Sequence, residues 1–386
     1  MTYEIALPRT FRIGSGALSE LGSVLDGLGL ARPLIVTDRF MVETGAVDKL
    51  LAALSGHGII SEIFSDTVPD PTSESLDPGV YLAARHNADC VVGFGGGSPM
   101  DTAKAVALLA VQGGAMRNYK APRDNSGSAL PLIAVPTTAG SGSETTKFTV
   151  ITDSETREKM LCPGLAFLPV AAIVDYELTL SMPPRLTADT GVDALTHAVE
   201  AYVSRRANPF SDGIALTAIK TIGQYLRRAY LDGGDVEARE NMMLASTQAG
   251  IAFSNSSVAL VHGMSRPLGV HFHVAHGLSN AMLFPAVTAF SVTQSPSRYA
   301  ECARAFGVAS AADPDARAAS RFVESLVELN NDLAVPTPHS FGIKQDQWLA
   351  TIPAMVEQAL ASGSPQNNPA IPDREQIAHI YQQIFI

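Results

Sequence analysis

The chain is poor in sulfur, in aromatic rings and in positive charge. Of its 386 residues three are cysteine and one is tryptophan, and aromatics make up 6%. Cys90, Cys162 and Cys302 are widely scattered and odd in number. They form no CxxC pair and no disulfide framework, and reduced, buried thiols suit a cytoplasmic protein. Lysine and arginine number 27 against 38 aspartate and glutamate, a net charge of −11. Such a balance disfavours nucleic acid and anionic membranes as partners and leaves small substrates open. No uninterrupted apolar stretch is long enough to span a bilayer. Met1 to Phe11 carries polar and charged residues and no long apolar run, so a secretory leader is not expected. The reading is a soluble, cytoplasmic protein.

What is present is apolar patterning. Hydrophobic residues make up 46% of the chain and charged residues 17%. That composition supports a large core, and the length suggests two domains rather than a disordered polymer. Short apolar runs read as buried strands at Pro33–Thr37, Cys90–Phe94, Leu132–Val135 and Ala171–Val174. Segments between them, such as Val47–Gly56 and Asp101–Gln112, have helical spacing. Strand and helix alternation predicts a parallel sheet. Beyond Met182-Pro183-Pro184 the patterns become long and helical: Leu186–Ser204, Phe210–Tyr230, Val236–Ser254, Ala316–Asn331, Gln347–Ala361 and Asp373–Ile384. The expectation is an α/β domain over 1–183 and an all-helical domain over 184–386. There is no internal repeat.

Two loops of the first half offer ligand contacts. Val91 to Asp101 joins a strand to a helix through Gly95, Gly96 and Gly97, followed by Ser98. Successive glycines let the backbone approach a ligand, and their N–H groups with a helix N-terminus suit a pyrophosphate. The pattern is not the common GxGxxG, and it also suits a tight turn capped by Ser98 or Asp101. The second loop, Pro136-Thr137-Thr138-Ala139-Gly140-Ser141-Gly142-Ser143-Glu144, follows a strand end, where open α/β sheets bind ligands. It also suits an ordinary loop. Asp38 ends a strand, either as a turn aspartate or as a ribose acceptor that repels a 2′-phosphate.

The second half offers a metal-ligand pattern. Asp193 and His197 lie four apart, so on a helix they share a face. His262 and His276 bracket a segment containing glycine and proline. One carboxylate and three imidazoles suit a first-row divalent metal such as Fe²⁺ or Zn²⁺. His271 and His273 stand in the same segment as alternatives, and core or capping histidines remain open for all of them.

Four segments in order resemble the iron-containing alcohol dehydrogenases: Gly95–Asp101, Pro136–Glu144, Gly191–Tyr202 and His262–Pro285. The resemblance covers nearly the whole chain. It implies an N-terminal cofactor domain and a C-terminal helical metal domain. Asp193, His197, His262 and His276 fall on the family's four ligand positions. Gly96, Gly97 and Ser98 fall on the pyrophosphate loop, Thr137 and Thr138 on a second cofactor loop, and Lys159 on a cofactor-contacting lysine. Asp38 falls where NAD-preferring members keep an acid. The implied activity is NAD-linked alcohol dehydrogenation or aldehyde reduction, with hydride passing between an alcohol activated by Fe²⁺ and the nicotinamide. Zn²⁺ is also compatible. A homo-oligomer, dimer or larger, is implied. Neighbouring readings within the superfamily are a zinc-dependent polyol dehydrogenase and a maleylacetate-type keto-acid reductase; a more distant one is a non-catalytic binding protein. Three positions depart from the pattern. Arg266 stands where many members place a second histidine, Asp70 where asparagine is frequent, and His271 with His273 where aromatic or uncharged polar residues are common. Either histidine suits a proton relay, and Arg266 suits a polar or anionic substrate group or a structural ion pair.

Overall fold

The computed structural model describes residues 2–386. They divide into an α/β unit, Glu4–Ser181, and a helical unit, Met182–Ile386 together with Thr2 and Tyr3.

Eight strands belong to the α/β unit: β1 (Thr10–Ile13), β2 (Pro33–Val36), β3 (Glu62–Phe64), β4 (Cys90–Gly95), β5 (Leu132–Pro136), β6 (Phe148–Thr152), β7 (Lys159–Pro163) and β8 (Ala171–Val174). Its helices are α1 (Leu21–Leu28), α2 (Arg39–Glu43), α3 (Ala46–Leu54), α4 (Asp77–His86) and α5 (Gly97–Gln112). Six strands form one sheet in the order β1-β8-β5-β4-β2-β3, and every pairing in it is parallel. The central runs alternate between two cores. Ile35, Val92, Phe94, Ile133, Val135 and Ile173 pack on one face with residues of α1 and α3. Leu34, Val36, Val91 and Leu132 pack on the other with Ala83 of α4 and Ala103 and Val106 of α5. Burial on both faces is why these strands read as unbroken apolar runs.

Three strand features lie beyond the sequence-based expectation. Edge strands β1 and β3 are short and half-exposed. An antiparallel hairpin, β6–β7, pairs Phe148 through Thr152 with Pro163 through Lys159. Its buried side, Ile151, Met160 and Cys162, joins a third core with Leu108 and Leu109 of α5.

The helical unit contains α6 (Pro184–Val203), α7 (Pro209–Leu231), α8 (Val236–Ser254), α9 (Leu260–Phe272), α10 (His276–Ser291), α11 (Pro296–Phe306), α12 (Asp315–Asp332), α13 (Gln345–Ala361) and α14 (Arg374–Gln383). Proline at the first turn starts α6, and an Asn208–Ser211 capping box starts α7. α9 and α10 form despite interior prolines, Pro267 and Pro285. Pro285 has no N–H for the carbonyl of Ala281, four residues earlier. Asn330 Nδ2 on α12 donates to that oxygen at 2.7 Å instead. All three cysteines are reduced and buried. Among the described residues no helix is long and apolar enough to cross a membrane.

Candidate metal centre and cofactor loops

Helix α6 is buried along most of its length, including its polar residues Asp193, His197 and Glu200. Helical spacing puts Asp193 and His197 on one face. His262 comes from the first turn of α9 and His276 is the first residue of α10. Their Nε2 atoms all turn toward Asp193 Oδ1, at 3.9 Å for His197, 3.6 Å for His262 and 3.7 Å for His276. One donor atom from each of the four residues lies within 4.8 Å of all the others. These separations are too long for direct hydrogen bonds. They resemble the roughly 3.4 Å that separates two ligands of a tetrahedral ion with bonds of about 2.1 Å. Asp193, His197 and His262 are buried, whereas His276 is partly open.

The electrostatics suit a cation. Burial works against ionisation of Asp193, yet the surrounding imidazoles hold its carboxyl well below the usual range. Burial pushes His197 down to about 3, leaving it neutral and able to ligate. His262 is held above its ordinary value: burial lowers it, but Glu200 and Asp193 outweigh that. His197 is stacked between Phe253 and His262, with centroid distances of 4.2 and 4.4 Å. The stack fixes its ring plane. The donor set and its spacing therefore fit a divalent ion.

Two residues of this centre escaped the sequence reading. Glu200 accepts from His262 Nδ1 at 2.6 Å. Asn280, fully buried, donates through Nδ2 to Asp193 Oδ1 at 2.7 Å. Their only signal was a polar residue one turn after a candidate ligand.

The other residues singled out in the second half lie apart from this ligand set. Arg266 is buried, and its Nη1 donates to Ser364 Oγ at 3.1 Å. Among the described residues no carboxylate forms an ion pair with it, so the ion pair considered from sequence is not its anchor. Burial lowers its guanidinium to about 10, an effect that Glu200 partly offsets. His271 Nε2 meets Gln358 Oε1 at 3.0 Å. His273 is exposed and ends α9 in the left-handed conformation, φ 54°.

In the α/β unit the glycine-rich turn joins β4 to α5. Gly95 takes φ 149°, and a Cβ there would lie 2.7 Å from Pro99. Helix α5 begins at Gly97, four residues before the expected Asp101, so the N–H groups of its first turn belong to the glycine turn itself. A Cβ on Gly96 would stand 3.4 Å from Thr138, so the two expected loops run side by side. Thr137 is buried and its N–H bonds Gly95 O at 3.0 Å. Asp101 accepts from Ser143 Oγ and from Val150 N, each at 3.3 Å, which ties the second loop and the hairpin to α5. Loss of water lifts its carboxyl to about 6, against the pull of Lys104. Lys159 pairs with Asp70 at 2.7 Å, and Asp70 N donates to Ser98 Oγ at 3.3 Å. Asp38 caps α2 by accepting from Met41 N at 2.9 Å.

Family models agree with this layout. Residues 8–176 match the model for iron-containing alcohol dehydrogenase, and residues 187–385 match the C-terminal model of the Fe-containing alcohol dehydrogenase family. The chain belongs to the iron-containing alcohol dehydrogenase family. It is similar to the long-chain-alcohol dehydrogenase 1 of Geobacillus thermodenitrificans, with 40% identity over 94% of this chain and 92% of that one. It is also similar to the NAD-dependent methanol dehydrogenase of Bacillus methanolicus, with 36% identity over 97% of each. Among solved structures, a 1,3-propanediol oxidoreductase superimposes with a TM-score of 0.95 at 35% identity, over the full length of both chains. As a member of this family the protein is an NAD-dependent, iron-containing alcohol dehydrogenase.

Proposed function

We propose that Asp193, His197, His262 and His276 hold the catalytic iron, and that the enzyme interconverts a small alcohol and its aldehyde beside it. The observation that carries this is the convergence of three imidazole Nε2 atoms on a single carboxylate oxygen in a buried centre. Iron bound there supplies a Lewis acid that draws charge from the substrate oxygen, and NAD supplies the hydride acceptor. Asp193 contributes the one negative charge, and neutral His197 a lone pair. Partly open His276 marks the side from which substrate arrives. His271 and His273, on the last turn of α9 and just beyond it, pass the alcohol proton to solvent through their ring nitrogens, which can both donate and accept.

For the cofactor, the N–H groups of Gly96, Gly97 and Ser98 at the start of α5 hold the pyrophosphate, with Gly95 providing the turn and Asp101 bracing it. Thr137 and Thr138, on the second cofactor loop, offer hydrogen bonds to ribose and phosphate, and Lys159 approaches the cofactor from β7. Asp38 takes the ribose hydroxyls and disfavours a 2′-phosphate. Arg266, a buried guanidinium held by one hydroxyl, favours substrates with a polar or anionic tail. The enzyme works in the cytoplasm as a homo-oligomer, dimer or larger; its buried reduced thiols suit that compartment.

The test is His262→Ala. Metal content per protomer and NAD-linked alcohol oxidation are expected to fall to background, with far-ultraviolet circular dichroism unchanged. A folded variant that kept its iron and its turnover would refute the ligand assignment.

A further inference from the structure

Glu200 sits on α6, three residues after His197, and is 3% exposed. A buried carboxylate is costly unless its oxygens are satisfied. Here Oε1 accepts from Val261 N at 2.6 Å, while Oε2 accepts from Ala259 N at 2.9 Å and from His262 Nδ1 at 2.6 Å. Ala259 precedes α9 and offers that helix no side-chain cap. Glu200 therefore satisfies N–H groups at the start of α9 from another helix, where a negative charge is also favoured.

The third bond decides a proton. Both carboxylate oxygens already accept backbone N–H groups, so the hydrogen between Glu200 and His262 belongs to Nδ1. In the neutral imidazole Nε2 then carries the lone pair on the opposite edge, and that edge faces Asp193. We propose that Glu200 is a positioning residue of the metal centre: it fixes the tautomer and ring orientation of His262 and the place where α9 starts relative to α6. This rests on the reading of His262 as a ligand. Carboxylate partners of ligating histidines typically contribute 10–100-fold to metal affinity.

In Glu200→Gln an amide N–H must face either Val261 N–H or the Ala259 and His262 N–H pair, whichever way the amide turns. The purified, iron-loaded enzyme is challenged with excess chelator and the rate of metal loss is measured for wild type, Glu200→Gln and Glu200→Asp. A stability control, Phe306→Leu, lowers packing in α11 without touching the centre. The cobalt-substituted proteins are compared by their visible absorption. Metal loss at least tenfold faster in Glu200→Gln, with an altered cobalt spectrum and partial recovery in Glu200→Asp, is the expected result; Phe306→Leu keeps the wild-type rate and spectrum. A wild-type rate and spectrum in Glu200→Gln would overturn the inference. So would faster loss that Phe306→Leu matches at equal melting temperature, since a merely structural role predicts that. His262→Ala run in parallel separates the two claims: if it retains metal, the ligand reading fails, whereas if it loses metal and Glu200→Gln does not, only the role of Glu200 falls.

Discussion

Gly277 follows His276 in the first turn of α10, and its position is fixed by contact. A Cβ there would lie 2.3 Å from the backbone oxygen of Asp189 and 2.8 Å from its carbonyl carbon. Asp189 is on α6, one turn before Asp193. The colliding atoms are backbone, so no side chain can swing aside. Restoring an ordinary contact of 3.4 Å requires α6 and α10 to separate locally by about 1 Å. Metal ligation tolerates departures of only about 0.2 Å. Gly277→Ala should therefore move His276 out of reach of an ion shared with Asp193. Two effects on stability oppose each other. Alanine in place of glycine favours a helix by about 1 kcal/mol, and overpacking costs about 1–3 kcal/mol. The net is a loss of up to about 2 kcal/mol, with the fold retained. Turnover should fall by roughly 100-fold, the usual cost of a misplacement near 1 Å. The assay is iron per protomer, the melting temperature of the metal-free protein, and kcat with a primary alcohol. Gly213→Ala is the contrast: it lies in α7 with nothing within 4 Å of its added Cβ, so it should gain stability and keep its metal. Full metal content in Gly277→Ala, with a melting temperature at or above wild type, would refute the reasoning.

The remaining predictions concern cofactor choice, substrate choice and pH. Asp38→Ser keeps an oxygen to cap α2 while removing the charge, so the preference for NAD over NADP should shrink by about tenfold, or 1.4 kcal/mol, without a loss of melting temperature; an unchanged kcat/KM ratio would clear Asp38 of any role in selectivity. Arg266→His should move kcat/KM from carboxylated aldehydes toward plain aliphatic ones, whereas a uniform loss over both classes would assign Arg266 to packing. Burial of Asp89 opposes its ionisation, but the N–H groups of Ala31 and Arg32, each at 2.9 Å, hold it below its ordinary 3.8. Its contribution to stability is thus present above pH 3.8 and is lost as pH falls through the lower folded value. Asp89→Asn should melt earlier than wild type at pH 7, and the gap should close toward pH 3; a constant gap would contradict this.

The parts of the fold legible in sequence are those where burial is one-dimensional. Strands β2, β4, β5 and β8 are covered on both faces and announce themselves as apolar runs. β1 and β3, half-exposed edges, do not. The hairpin β6–β7 alternates buried and half-buried residues around the polar stretch 153–158, and its inner side is defined by a core that α5, Leu76, Met116, Tyr119 and Phe167 build from other parts of the chain. Glycine and proline punctuation hid α9 and α10. Pro285 is tolerated because Asn330, 49 residues after Ala281, takes the freed Ala281 carbonyl. The carboxylate and imidazole types of the candidate ligands and the Asp193–His197 spacing were readable directly. Choosing among nine histidines needed the family resemblance. Glu200 and Asn280 were not legible, since the contacts of Glu200 with Ala259 and His262 span 59 and 62 residues and the bond of Asn280 to Asp193 spans 87.

The seclusion of Cys90, Cys162 and Cys302 has a practical consequence. Each is fully shielded from solvent, and burial raises each thiol, that of Cys162 to about 12. Only thiolate reacts readily with maleimides or oxidants, so the native protein should be nearly silent to sulfhydryl reagents. A single cysteine placed on the surface, for example by Gly213→Cys, would then be the one attachment point in the folded chain. Fluorophores or spin labels could be installed there stoichiometrically without first deleting any natural thiol.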